Sequence, residues 1–167
     1  MSRTTVQIIF FAYLGWGVLL QGCSSLPATQ PVGTPALVQP ATLPLSPGNE
    51  IAMRAISLLG SPYKWGGSGP TQFDCSGLVR FVYGEIGVDV PRTAAEQYSA
   101  ARRVDLKEIA PGDLLFFRIS GRRVSHVAIY AGEGRFIHAP QTGRPVELRT
   151  MDDEFYRPRL VGAGRFL

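Results

Sequence analysis

Cysteine and histidine are scarce in this chain of 167 residues, which has two of each. Charged residues are also few, at 18%, and the net charge is only +4. No lysine run or arginine-rich helix accompanies this mild positive charge, which argues against a nucleic-acid-binding protein. Hydrophobic residues make up 45% of the chain, enough for one globular domain with a core. Any thiol or imidazole chemistry must therefore use Cys23, Cys75, His126 or His138.

The amino terminus has the pattern of an export signal. Arg3 precedes an apolar stretch over residues 8–20, which suits a signal-peptide core and falls short of the roughly 20 residues of a membrane span. The stretch ends in a Leu-Gln-Gly-Cys tetrapeptide that resembles a bacterial lipobox. The resemblance implies that residues 1–22 are a cleaved signal peptide and that Cys23 carries lipid. An uncleaved anchor helix is the alternative.

The segment after the lipobox predicts a membrane tether. Ser24, rather than Asp, follows Cys23, and by the same resemblance this predicts attachment to the outer membrane, facing the periplasm. Residues 23–48 are rich in Pro, Thr, Ala and Ser, and they contain no charged residue. Such a segment is a flexible or polyproline-like spacer, which at about 3 Å per residue reaches several tens of ångströms. We expect a single folded domain over residues 49–167.

The hydrophobic pattern from residue 49 onward predicts an α+β domain. Helical spacing occurs near residues 51–60, 78–86 and 93–100. Alternating segments typical of strands follow at residues 113–118, 125–130, 135–138, 146–149 and 160–165. Because the helices come first and the strands follow in a row, we expect N-terminal helices packed on a mostly antiparallel sheet.

Cys75 stands where the second predicted helix begins. Asp74 is suited to cap this helix, which puts the thiol in the first turn, where backbone N–H groups and the helix dipole favour negative charge. We expect this position to lower the pKa of the thiol, and the thiolate is the nucleophilic form. If Cys23 carries lipid, no disulfide partner remains. The position alone leaves two interpretations open, a nucleophile or a small core residue.

The two histidines are candidates to act on this thiol, because a nucleophilic thiol needs an imidazole and the imidazole needs an orienting group. His126 and His138 lie on consecutive predicted strands joined by an Ala-Gly-Glu-Gly turn. If the hairpin centres on Gly132, the two histidines face each other directly, roughly 4.5–5.5 Å apart at Cβ. Zinc bound by Cys75 and both histidines is the rival chemistry. The close-spaced ligand pairs typical of zinc sites are missing from the sequence, so we expect no metal and no cofactor.

Six sequence blocks resemble, in order, those of the NlpC-type cell-wall cysteine peptidases. They are GSPYKWGG at 60–67, FDCSGLV at 73–79, VPRTAAEQ at 90–97, PGDLLFF at 111–117, SHVAIY at 125–130 and FIHA at 136–139. The resemblance covers residues 50–166 and implies a papain-like fold. Two departures, Ala128 where the family often has Gly and Pro140 after the last block, remove no reacting group.

The resemblance also implies roles for individual residues. Cys75 corresponds to the nucleophile, His126 to the general base and acid, and His138 to the third residue, which orients the base. Tyr63 corresponds to a tyrosine that lines the site and supports the substrate or the oxyanion. Arg92 and Gln97 are interpreted as groove-lining or supporting residues, outside the catalytic set.

These roles imply a peptidoglycan endopeptidase that hydrolyses amide bonds in murein stem peptides or cross-links through a Cys-His-His triad. We expect a lipid-anchored monomer without a nucleic-acid partner. Two alternatives remain: a non-catalytic lipoprotein that binds wall peptides, and an amidase or acyltransferase that uses the same thiol chemistry.

Overall fold

The computed structural model describes residues 45–167. The expected signal peptide over residues 1–22, the lipidation site Cys23 and nearly all of the expected tether lie outside the described residues. None of the helices in the described part of the chain has both the length and the apolar character that crossing a membrane requires.

Three helices precede a six-stranded sheet. The helices are α1 Pro47–Ser57, α2 Cys75–Gly84 and α3 Ala94–Ala100. The strands are β1 Arg102–Val104, β2 Leu114–Phe117, β3 His126–Gly132, β4 Arg135–His138, β5 Glu147–Thr150 and β6 Leu160–Arg165. The strand order is β1-β6-β2-β3-β4-β5, and every neighbouring pair is antiparallel. The expected α+β architecture is confirmed.

Helix α1 begins earlier than its hydrophobic pattern predicts. The Ser46 hydroxyl accepts a hydrogen bond from the Asn49 N–H, and Pro47 occupies the first turn, where its missing N–H costs nothing. The helix therefore starts at Pro47, inside the segment assigned to the tether. The expected domain boundary at residue 49 stays a prediction, and the helix begins two residues before it because serine and proline occur both in spacers and at helix starts.

Helix α2 is the central helix of the domain and packs against β3 and α1. Its residues Leu78, Val79 and Val82 are fully buried. Burial of a large apolar side chain contributes roughly 1.5–3 kcal/mol each, so this face anchors the start of the helix as well as its middle. The helix ends at Gly84, two residues before the end that the sequence pattern indicates.

The sheet is apolar on both faces. All four residues of β2 are buried: Leu114 and Phe116 face the cluster under the helices, whereas Leu115 and Phe117 belong to a second cluster on the opposite face. Tyr156, from the segment after β5, covers that second cluster. Strand β1 went unpredicted because its three residues are largely exposed and two of them are arginines, so it shows no alternation.

The β3–β4 hairpin differs from its predicted register by two residues. Its turn is Glu133-Gly134, both with positive φ, rather than a turn centred on Gly132. Tyr130 pairs with Phe136, and the register extended along β3 places His138 opposite Ala128 instead of His126. Because the side-chain period of a strand is two, a shift of two residues keeps both histidines on the same face. They are diagonal neighbours, not direct partners.

Candidate active site

Asp74 fixes the start of helix α2 and thereby the position of Cys75. Its carboxylate accepts hydrogen bonds from the N–H of Gly77 at 2.7 Å and from the N–H of Gly66 at 3.0 Å. The predicted cap is confirmed, and Cys75 is the first residue of the helix. One side chain thus joins the helix start to the loop that carries Tyr63 and precedes the helix.

Two glycines allow this loop to approach the helix closely. A Cβ atom at Gly77 would lie 1.9 Å from the carbonyl oxygen of Gly67, and one at Gly67 would lie 2.8 Å from the carbonyl oxygen of Gln72. The Asp74 N–H donates to that same Gly67 oxygen at 3.0 Å. Gly67 and Gly77 are therefore needed for backbone-to-backbone packing beside the thiol.

Arg92 neutralises the carboxylate beside the thiol. Its guanidinium donates to both Asp74 oxygens, at 2.6 and 3.0 Å, and to the Ser76 hydroxyl at 3.0 Å. The fully buried Gln97 donates to the carbonyl oxygens of Ser76 and Pro91, which ties the first turn of α2 to the segment that carries Arg92. The supporting roles considered for Arg92 and Gln97 are what the structure shows. A bidentate pair of this kind is rigid as well as charge-compensating.

The thiol of Cys75 is partly exposed and lies beside strand β3. Burial raises the pKa of Cys75, and the charge of Asp74 adds to this rise. The backbone N–H groups of Val127, Ser76 and Cys75 itself act in the opposite direction. The expectation that the helix start alone lowers this pKa is wrong, because desolvation outweighs the N–H groups. Val127 follows His126 directly, so the strand N–H that acts on the thiol belongs to the residue next to the candidate base.

His126 and His138 are in direct contact. Nε2 of His126 lies 2.9 Å from Nδ1 of His138, and the two rings are nearly perpendicular, at 86°. His138 is fully buried, and His126 is 5% exposed. The sequence therefore predicted the pairing of the two rings correctly, although the register that brings them together is a different one.

Aromatic rings bury the two histidines, and this burial lowers the pKa of both imidazoles. His138 packs edge-on against Phe136 and Tyr156, and His126 stacks on Tyr156 and contacts Phe117. Burial lowers the pKa of both imidazoles to about 3, with His138 adding to the shift of His126. For His138, the charges of two nearby arginines act in the same direction. Both rings are therefore neutral at neutral pH.

A carboxylate that the sequence did not single out lies behind the histidine pair. Oε1 of Glu147 is 3.3 Å from Nε2 of His138, because strand pairing places the two residues opposite each other. Arg144 donates to both oxygens of this carboxylate, and Nε of Arg149 donates to one. Within residues 45–167, Nε2 of His138 has no partner at hydrogen-bonding geometry. The separation of nine residues from His138, without a tight turn, leaves no sequence signal for this contact.

Two cavities are lined by residues of this site. One, of about 480 Å³, is lined by Cys75, Tyr63, Arg92 and Trp65, whose side chain is 85% exposed. Tyr63 thus lines the cavity of the thiol, and burial raises its pKa, with the nearby Cys75 adding to the rise. The other cavity, of about 240 Å³, is lined by residues that include His126, Arg144, Arg149 and Tyr156. The candidate nucleophile and the candidate base thus line separate cavities.

The described residues contain no group of three or more His, Cys, Asp or Glu side chains arranged to hold a metal ion. The two histidines direct the ring nitrogens Nε2 and Nδ1 at each other. This arrangement suits a base whose tautomer is held by a second imidazole.

Comparison with known proteins agrees with this geometry. Residues 60–165 match the pattern of the family described as NlpC/P60. The chain belongs to the NlpC/P60 family. Members of this family are cysteine peptidases, and the matched segment of the NlpC/P60 domain contains Tyr63, Cys75, His126 and His138. The resemblance inferred from the six sequence blocks is confirmed.

Relatives of known name cover the same segment. The chain is 40% identical over 124 residues to the murein DD-endopeptidase MepH of Escherichia coli, covering 71% of this chain and 46% of that protein. It is 39% identical over 118 residues to the bifunctional muramidase/DL-endopeptidase CwlT of Bacillus subtilis, covering 69% of this chain and 35% of that protein. The chain therefore spans less than half the length of these relatives.

A solved structure supports the fold in the same way. The crystal structure of an NlpC/P60 family protein from Bacillus cereus matches 74% of this chain and 41% of that chain, with a TM-score of 0.69 and 33% identity. The α+β architecture described above is thus that of an NlpC/P60 domain.

Proposed function

We propose that this protein is a peptidoglycan endopeptidase in which Cys75 is the nucleophile, His126 the general base and acid, and His138 the orienting residue. One observation carries the proposal: in an NlpC/P60 domain, a helix-start thiol lies beside β3 while His126 and His138 meet at 2.9 Å. These groups support a nucleophile–base–orienter arrangement of the kind that covalent catalysis uses.

The contact between the histidines assigns the reacting nitrogen. Nε2 of His126 is engaged with His138, so Nδ1 of His126 is the nitrogen left to serve Cys75. For Nδ1 of His126 to accept a proton, Nε2 of the same ring must already carry one. The Nε2–H group then donates a hydrogen bond to Nδ1 of His138. The histidine pair then holds His126 in the tautomer that a base at Nδ1 needs.

The reaction follows from these positions. Cys75 loses its proton to His126 as Sγ attacks the amide carbonyl, which forms a tetrahedral oxyanion. The backbone N–H of Cys75 and the hydroxyl of Tyr63 support the oxyanion or the adjoining substrate. His126 then donates its proton to the leaving amine as the C–N bond breaks, leaving an acyl-enzyme. Water, deprotonated by His126, attacks the thioester carbonyl, and Cys75 is released with its proton restored.

Burial makes His126 essential to this chemistry. Desolvation raises the pKa of the thiol and lowers that of the imidazole, so both groups are neutral at rest. The thiol therefore reacts efficiently only when a base beside it removes its proton. A helix-start position without the histidine pair would leave Cys75 weakly nucleophilic.

The substrate class rests on the relatives. The printed names of the relatives refer to murein endopeptidases of two specificities, DD and DL. We propose that this chain cuts an amide bond in murein stem peptides or cross-links, working as a monomer.

Peptidoglycan digestion tests the proposal. Purified peptidoglycan is incubated with the full chain, and the products are identified by mass spectrometry. We expect new peptide termini at one bond type, and we expect Cys75→Ala to abolish them while its thermal unfolding stays close to that of the wild type. Ser57→Ala, an exposed change on α1, is the matched control. Undiminished cleavage by Cys75→Ala, or binding of muropeptides without cleavage by the wild type, would overturn the proposal.

The location of the protein is a second part of the proposal. The Leu-Gln-Gly-Cys sequence supports lipid attachment at Cys23, and Ser24 supports sorting to the outer membrane. Residues 23–48 would then tether the domain in the periplasm. Metabolic labelling with a fatty acid tests this: we expect label in the wild type and none in Cys23→Ala, which should leave the membrane fraction. Equal labelling of both would contradict it.

A further inference from the structure

We propose that Glu147 is a positioning residue that extends the line of Cys75, His126 and His138 to a fourth member. The inference rests on the proposed role of His126 as base. The specific task of Glu147 is to accept a hydrogen bond from the Nε2–H of His138. This hydrogen bond selects the tautomer of both histidines.

The tautomers of the two rings are linked. A base at Nδ1 of His126 requires a proton on Nε2 of the same ring, and that N–H must find an acceptor in Nδ1 of His138, 2.9 Å away. A neutral His138 that accepts at Nδ1 carries its own proton on Nε2. In the opposite tautomer, Nδ1 of His138 carries the proton and donates a hydrogen bond to Nε2 of His126. The proton of His126 then lies on Nδ1, and this nitrogen cannot act as a base. Whatever group selects the tautomer of His138 therefore selects the state of the base.

Glu147 is the group placed to make this selection. Its Oε1 lies 3.3 Å from Nε2 of His138, which is fully buried and lacks any other acceptor within residues 45–167. An ionised carboxylate accepts hydrogen bonds and cannot donate them. A small rotation of the Glu147 side chain would align Oε1 with the N–H and satisfy this buried nitrogen.

Arginines hold this carboxylate in place. Arg144 donates to both oxygens, at 2.8 and 2.7 Å, and Arg149 donates to Oε1 at 3.0 Å. Asp153 lies 3.8 Å from Arg149, and the ring of Tyr156 packs edge-on against His138. These are the charged and titratable groups that surround the carboxylate and the outer face of His138.

The arginines also prevent Glu147 from charging His138. Burial lowers the pKa of His138, and Arg149 and Arg144 lower it further. His138 therefore stays neutral, and Glu147 acts by orienting its proton and by stabilising the positive charge that forms on His126 during the reaction. A purely structural role for Glu147, as an anchor of Arg144 and Arg149 on the surface, would leave the pH dependence of Cys75 unchanged.

Two variants separate the positioning role from the structural one. Glu147→Ala removes the acceptor, and Glu147→Gln keeps a side-chain oxygen that can face Nε2 but removes the charge. Glu133→Gln is the matched control, since Glu133 also pairs with an arginine, Arg135, but lies exposed at the turn of the β3–β4 hairpin. Each variant is assayed as the full chain for kcat and KM on peptidoglycan peptides, and for the rate at which iodoacetamide alkylates Cys75 across a pH range.

We expect Glu147→Ala to lower kcat by about tenfold or more, with KM changed less than about twofold, since Glu147 acts through the base. Alkylation of Cys75 should shift to higher pH, because a protonated His126 is less stabilised without the carboxylate. Glu147→Gln should lie between Ala and the wild type, and Glu133→Gln should match the wild type.

The test of Glu147 can be interpreted whether or not the proposed endopeptidase function is correct. Alkylation requires no murein, so it tests Glu147 even if the wild type cuts no peptidoglycan. An alkylation profile of Glu147→Ala that coincides with the wild type, together with an unchanged kcat where activity is found, would overturn the inference. If Glu147→Ala fails to fold, as thermal unfolding would reveal, the profile of Glu147→Gln decides in the same way.

Discussion

The two halves of the site are built in opposite ways. On the side of the nucleophile, Asp74 is fully engaged by backbone N–H groups and by Arg92, and the thiol next to it remains partly exposed. On the side of the base, the two imidazoles are buried among aromatic rings and, within residues 45–167, hydrogen-bond only to each other. Backbone hydrogen bonds to Asp74 thus fix the position of the thiol, whereas neighbouring side chains determine the protonation and tautomer of the base.

This difference predicts different costs of substitution. Changes around Cys75 disturb the start of α2 and should lower the stability of the fold. Changes at the histidines remove buried neutral imidazoles, so they should change how both stability and reactivity depend on pH. The predictions that follow separate these two kinds of effect.

The largest expected effect on stability comes from acid, through the base half. Folded His126 and His138 stay neutral down to about pH 3, whereas the unfolded chain protonates them near pH 6.5. Between these values the unfolded state binds more protons, so the free energy of unfolding falls as the pH falls, by about 1.4 kcal/mol per unit for each histidine. We expect a loss of about 3–5 kcal/mol between pH 6.5 and 4.5, measured by denaturant unfolding.

Variants attribute that loss to the pair. His138→Gln should reduce the pH dependence to about half, and a double variant with His126→Gln should remove most of it. A free energy of unfolding that declines equally in the wild type and the double variant would show that the histidines do not control it.

The next effect belongs to the nucleophile half. Asp74→Ala removes the cap of α2 and leaves Arg92 without its carboxylate, so we expect the free energy of unfolding to fall by about 2–3 kcal/mol at neutral pH. Chemical denaturation measures it. Asp74→Asn, which keeps an oxygen for the N–H of Gly77, should lose less.

The smallest effect provides the control for this cap. Thr93 caps the short helix α3 with a single hydroxyl, outside the hydrogen-bond network around the thiol. Thr93→Ala should therefore cost only about 1 kcal/mol. Equal losses for Asp74→Ala and Thr93→Ala would show that Asp74 is an ordinary cap and that the nucleophile half is not specially held.

Much of the fold could be predicted from local patterns. Five of the six strands and all three helices were anticipated near their observed positions, because their apolar spacing is regular. Strand β1 was missed because its pairing with β6, not its own side chains, makes it a strand. The start of α1 was missed because serine and proline, the residues at Ser46 and Pro47, are also common in the tether before them.

The site was predictable only in part. Asp74 and Cys75 are adjacent in the chain, so the cap and the helix-start thiol follow from local sequence. The pairing of His126 with His138 was anticipated despite a register that is wrong by two residues, because the parity of the strands is unchanged. Glu147 meets His138 through the pairing of β4 with β5, and Arg92 meets Asp74 across a loop and a helix. The pKa of Cys75 depends on how deeply the folded chain buries it. None of these leaves a periodic signal.

The central claim is that the buried histidine pair activates Cys75. Its most direct test is the rate of Cys75 alkylation by iodoacetamide as a function of pH, in the wild type and in His126→Gln. Burial alone raises the pKa of the thiol, so only a neighbouring base can make it reactive at neutral pH. We predict that the variant reacts at least about tenfold more slowly at pH 7 and that its profile moves to higher pH. Coincident profiles for the two proteins would contradict the account.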